Sequence, residues 1–110
     1  GDGRAMRAYT YGDEMVDGIV TLMKSDLGNG VNLGRREYVS VDEVALLDAV
    51  IAGKKVHLRH VDGPVGVRAR NFLAPRMAAI GWESKVPLRE GLSRTYPWIE
   101  SQVAAAAVAR

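Results

Sequence analysis

From His57 to Asn71 the chain reads HLRHVDGPVGVRARN, which sets two histidines and three arginines around a Gly-Pro-x-Gly turn. Residues of these types at this spacing suit the capture of an anion. Glycine lets the main chain approach a ligand closely, and arginine offers a planar, permanently charged fork of donors that matches the oxygens of a phosphate. The arginines of this loop are its candidate donors, and a phosphate group is the expected partner.

Other groups that could do chemistry read more plainly as structure. His57 and His60 have a His-x-x-His spacing, but on a strand that spacing points the two rings to opposite faces, and the chain has no cysteine, so no metal is expected. Gly63, Gly66 and Ala69 spell G-x-x-G-x-x-A, yet a dinucleotide-binding turn must lead from a strand into a helix, and this one leads into arginines. Arg35 and Arg36 precede Glu37 and read as a solvated turn. Trp82 and Trp98 read as core anchors rather than sugar platforms.

The elements that must position the loop follow from periodicity and punctuation. Arg7–Tyr11 reads as a short strand, broken by Gly12. From Asp13 to Lys24 apolar residues recur at helical spacing, with acids in the first turn. Val31–Gly34 fits a buried strand and Tyr38–Ser40 another. Ser40 and Glu43 form a capping box opening a second helix, whose stripe is Val44, Leu47, Val50 and Ile51 and whose end is Gly53. Lys55–Val61 alternates like a strand that leads into the basic loop. Pro75 opens a short helix to Ile80, stopped by Gly81. Leu88, Leu92, Tyr96, Ile99 and Val103 line a last helix, in which Pro97 predicts a kink or a restart.

Length and charge set the outer bounds. At 110 residues and 47% hydrophobic content the chain suits one domain with a modest core. The net charge is only +2, but residues 1–53 hold 5 basic and 9 acidic side chains whereas 54–76 hold 6 basic and 1 acidic. A positive field this local suits a small anionic ligand; a nucleic-acid binder is basic over a broad face, so nucleic acid is not the expected partner. No apolar run is long enough to span a bilayer, so no membrane is expected and a cytoplasmic location is. The opening GDGRAMR lacks an initiator Met and a signal-peptide pattern, and reads as a piece of something longer.

This order of motifs resembles the C-terminal, substrate-binding part of the extended short-chain dehydrogenase/reductase family, the NAD-dependent epimerases and dehydratases of nucleotide sugars. GDG with Arg7 and Tyr9 looks like the family's strand, Tyr11 with Asp13 like its step into the next helix, VNLG of Val31–Gly34 like its Asn-x-Gly strand, and Gly81-Trp82 like the Gly-Trp before its last helix. Within the family, SDLGNGVNLG, YVSVDEV and HVDGPVGVRARN are most similar to the branch that epimerises a GDP-sugar.

The resemblance implies an α/β domain, α+β in isolation, of two or three short strands and about four helices, spanning 1–110 and lacking the Rossmann half. It implies that Arg7 and Arg68, with Arg70 and Asn71, reach the diphosphate of a GDP- or other nucleotide sugar. Catalysis and the NAD site of such an enzyme belong to the missing N-terminal Rossmann domain, so no cofactor is expected on this chain. None of Tyr9, Tyr11, Tyr38 or Tyr96 is followed four residues on by a lysine, so no catalytic residue is expected either. An edge left open by the missing half implies a homo-oligomer. The alternative is an independent module whose 57–71 loop binds an anion, nucleic acid or a protein.

Overall fold

The computed structural model describes residues 1–64, 66–70 and 73–108. Along the chain come β1 (Met6–Ala8), α1 (Gly12–Met23), β2 (Tyr38–Ser40), α2 (Val41–Ile51), α3 (Pro75–Ala79) and α4 (Leu88–Val108). β1 and β2 form a two-stranded antiparallel sheet with Met6 opposite Ser40, Arg7 opposite Val39 and Ala8 opposite Tyr38. Four helices on a small sheet is the architecture the sequence predicts, and it matches the C-terminal part of known folds described below.

Helix ends obey the local rules. Glu43 N–H donates to the Ser40 hydroxyl at 3.1 Å while Ser40 N–H donates to the Glu43 carboxylate at 2.6 Å, closing the predicted capping box of α2. Gly53, just beyond that helix, and Gly81, just beyond α3, take φ of 64° and 81°, a left-handed conformation open to glycine at little cost. Pro75 opens α3 as predicted.

The core is small. Met77 is fully buried, and Ala49, Trp82 and Leu88 are nearly so. Gly18 is the buried residue of α1, and its missing side chain is what lets that helix close on the rest: a Cβ there would stand 2.5 Å from Leu33 Cδ1 and 2.8 Å from the Trp82 ring. The indole N–H of Trp82 donates to Asp17 at 3.0 Å, so the tryptophan is tied to α1 through both ring and nitrogen.

Several expectations fail for one shared reason, the lack of a neighbour. Val31–Gly34 is not a strand, and neither is Lys55–Val61; a strand needs a neighbouring strand to pair its N–H and C=O groups in a ladder, and neither run has one among the described residues. The first strand stops at Ala8 instead of reaching Tyr11 because β2 offers only three partners. Helix α4 runs through Pro97 without a restart, carried on by helix-favouring alanines. Its far half lies beyond the packed body, so Trp98 is 65% exposed rather than a core anchor, and Val103 and Val50 of the predicted stripes are also exposed.

Apolar side chains consequently stay at the surface. On α1, Val16, Ile19, Val20 and Met23 are all exposed, Met23 by 78%. The radius of gyration is 17.0 Å, against about 13 Å for a compact chain of this length. No helix among the described residues is long and apolar enough to cross a membrane.

Candidate functional site

The site is built on the edge of β1 that faces away from β2. Residues Ala5 and Arg7 turn their main-chain groups toward the β2 side, where Val41 N–H donates to Ala5 C=O at 3.1 Å. Met6, between them, turns its own groups the other way, because successive residues of a strand alternate. Its N–H donates to the Arg68 carbonyl at 2.7 Å, and its carbonyl accepts from Arg7 Nη1, also at 2.7 Å. One residue of β1 therefore brings the Arg7 guanidinium and the Arg68 main chain to the same edge.

Arg7 is half-buried, whereas Arg68 and Arg70 are exposed. None of the three makes an ion pair with another described residue. Asp2 lies in electrostatic reach of Arg68: the Arg4 N–H beside it holds the Asp2 carboxyl below its usual value, with the charges of Arg4 and, least, Arg68 adding to the effect. Asn71, the remaining predicted residue, lies outside the described residues.

The loop itself carries no regular structure, and each of its described residues from 57 to 70 is exposed. The histidines do not act as a pair. His60 Nε2 lies 3.0 and 2.9 Å from the two oxygens of Asp42, in the first turn of α2, a carboxylate partner that the sequence reading missed because nothing periodic links positions 18 apart. Among the described residues no three His, Cys, Asp or Glu side chains converge as a metal site would need.

Arg35, expected in a solvated turn, is instead held: its Nε donates to Glu37 at 2.6 Å and its Nη1 to the Ser84 carbonyl at 3.3 Å. With Arg36, Glu37, Trp82 and the first turn of α3 it lines a cavity of about 540 Å³. A smaller cavity of about 270 Å³ lies between Tyr9–Gly12 and the start of α4, with Tyr11 under the Arg94 guanidinium at 5.5 Å. Neither cavity is lined by Arg7, Arg68 or Arg70.

Comparison with known proteins gives this edge its context. Over 104 residues, 94% of its length, the chain is 40% identical to GDP-mannose 3,5-epimerase of Arabidopsis thaliana. The chain belongs to the NAD-dependent epimerase/dehydratase family. Solved members share its fold: UDP-glucose 4-epimerase of Thermotoga maritima, determined with UDP-glucose, superposes on 94% of the chain with a TM-score of 0.85 at 27% identity. The dTDP-glucose 4,6-dehydratase of Bacillus anthracis, determined with NAD, superposes on 92% with a TM-score of 0.80, also at 27% identity. No protein-family model matches. The chain spans 28% of the length of the Arabidopsis relative, and 34% and 33% of the two solved chains. The epimerase/dehydratase segment in hand corresponds to the C-terminal part of that fold.

Proposed function

We propose that this chain is the substrate-binding part of an NAD-dependent sugar-nucleotide epimerase or dehydratase, and that Arg7 and Arg68, with Arg70 and Asn71 beside them, hold the diphosphate of a GDP- or other nucleotide sugar. The observation that carries the reading is Met6, whose two main-chain groups bring the Arg7 guanidinium and the Arg68 segment to one edge. A diphosphate presents paired anionic oxygens along a short line, and two guanidinium forks carried to one edge by Met6 can each grip one phosphate. The 40% identity to an enzyme named for a GDP-sugar and the solved relative carrying UDP-glucose support the same ligand class.

Such a clamp acts far from the reacting carbons. Its role is to anchor the nucleotide so that the sugar is presented in one orientation, binding energy at a remote group serving reaction at another. The described residues do not fit NAD. Gly63 and Gly66 sit in an exposed irregular run that no helix follows directly, whereas a dinucleotide turn delivers its pyrophosphate to a helix N-terminus. NAD and the acid-base pair therefore belong to a Rossmann domain of the intact, cytoplasmic parent, and this chain alone is inactive. The exposed apolar face of α1 and the unpaired 31–34 segment are the surface that domain covers; without it, two copies associate through the same face.

GDP titrated into the chain by calorimetry tests the clamp. Arg68→Ala is expected to cost about 1.5 to 3 kcal/mol of binding, the worth of a charge-assisted contact; unchanged affinity removes Arg68 from the site. The exposure of the loop's described residues favours one other reading, an independent module in which this basic run meets a macromolecule. Single-stranded DNA bound more tightly than GDP, with a steep salt dependence, decides for that module.

A further inference from the structure

The basic loop has almost nothing to hold it. Its described residues from Lys54 to Arg70 are all exposed, so no fully buried side chain anchors the run in the core. A few described contacts tie it down. Lys54 Nζ donates to the Tyr96 hydroxyl at 3.2 Å where the run begins. The Gly1 amino group donates to the Val61 carbonyl at 2.7 Å, Met6 N–H donates to the Arg68 carbonyl, and His60 pairs with Asp42. The last two flank the Gly-Pro-x-Gly sequence on either side, and of these two the His60 contact is the one made by side chains.

Asp42 is placed for that contact by its surroundings. Its N–H donates to the Gly3 carbonyl at 3.1 Å, and its carboxylate occupies the space a side chain on residue 3 would take. A Cβ on Gly3 would stand 1.8 Å from Asp42 Oδ1 and 2.2 Å from its Cγ. Gly3 also has φ of 69°, where any other residue is strained. The glycine thus opens a slot through which the carboxylate reaches across the N-terminal segment to His60. Three residues further on, Met6 holds Arg68.

We propose that His60 and Asp42, seated by Gly3, are a positioning pair: they pin the start of the basic bend so that Arg68 stands beside Arg7 before any ligand arrives. The proposal rests on the diphosphate reading for its consequence, though not for its geometry. Neither residue touches the ligand. The pair acts by sparing the ligand the cost of ordering an exposed run of chain, which is how preorganisation raises affinity.

Two measurements on the same variants test the proposal. Amide exchange of Met6 reads the Arg68 bond with no ligand present. It is expected to speed up about tenfold in His60→Ala and to stay within about twofold of wild type in His60→Gln, whose side-chain amide can still donate to Asp42, while the amides of α2 keep their protection in both. Met6 exchange that is unchanged in His60→Ala overturns the pair, as does equal acceleration in both variants. GDP affinity then reads the consequence: about tenfold weaker in His60→Ala and restored in His60→Gln. Accelerated exchange with unchanged GDP affinity overturns the positioning role. If the wild-type chain binds no GDP, the diphosphate reading fails instead, and the pair stands or falls on Met6 exchange.

Discussion

Glu14, in the first turn of α1, accepts a 2.6 Å hydrogen bond from the hydroxyl of Ser84, a residue 70 positions away. The same carboxylate takes the N–H groups of Lys85 and Val86, so it holds the turn that launches α4. Glu37 continues the work by accepting Leu88 N–H at 3.0 Å, and Arg35 bridges Glu37 to the Ser84 carbonyl. Two acids from distant parts of the sequence therefore fix the start of the longest helix.

These acids make stability depend on pH. Burial pushes the Glu14 carboxyl up, but the Ser84, Lys85 and Val86 donors outweigh it and leave the group below the ordinary 4.5. Leu88 N–H, with Arg35, lowers Glu37 likewise. A carboxylate depressed in the folded state contributes stability that is complete above its unfolded value and disappears as pH falls through the folded one. Thermal melts between about pH 6 and pH 3 are expected to show stability falling below about 4.5, and Glu14→Gln is expected to flatten that fall. A variant as steep as wild type would exclude Glu14 as a source of the acid sensitivity.

Gly18→Ala sets two effects against each other. Alanine gains about 1 kcal/mol over glycine in a helix interior. Here its Cβ would enter the space of Leu33 and Trp82 at 2.5 and 2.8 Å, and overpacking of this kind costs about 1 to 3 kcal/mol. Because the Trp82 ring is buried and tied to Asp17, it cannot swing aside, so the clash outweighs the helix gain. Urea denaturation is expected to show Gly18→Ala less stable than wild type; a more stable variant would mean that α1 can lift off Trp82 freely.

What could be read from the sequence was what is local. The capping box at Ser40 and Glu43, the proline opening α3 and the glycines after α2 and α3 each act within a few residues, and each appears where expected. The basic loop announced itself by residue type. Its neighbours did not: Met6 is 62 positions from Arg68 and Asp42 is 18 from His60, separations that leave no periodic trace. Strands at 31–34 and 55–61 were misread because alternation and apolar content mark a segment able to pair, and pairing depends on a neighbour. Trp98 was misread because its large ring marks affinity for a core, while α4 outruns the one available.

Pro97 is the most exposed weakness of α4. Lacking an N–H, it leaves the Ser93 carbonyl without its helical partner. An interior proline costs about 3 kcal/mol against alanine in an isolated helix, and the cost here is smaller where the surrounding turn relaxes toward solvent. Pro97→Ala is expected to stabilise the chain by about 1 to 2 kcal/mol and to raise its helical circular dichroism. An unchanged melt would show that residues 98–108 contribute little to the cooperative unit.

Arg7 offers the sharpest test of the clamp because it has two jobs. Its Nη1 is committed to the Met6 carbonyl, so the guanidinium is already fixed in direction, and the remaining donors of the fork stay available to a ligand. Lysine could replace either contact but not both, since its single nitrogen cannot lie on the carbonyl and also present a planar pair of donors to a phosphate. Arg7→Lys is therefore expected to fold as wild type does while losing about 1 to 2 kcal/mol of GDP binding, most of what Arg7→Ala loses. If lysine restored full affinity, the site would be recognising charge alone, and the paired-fork account of the diphosphate would have to be abandoned.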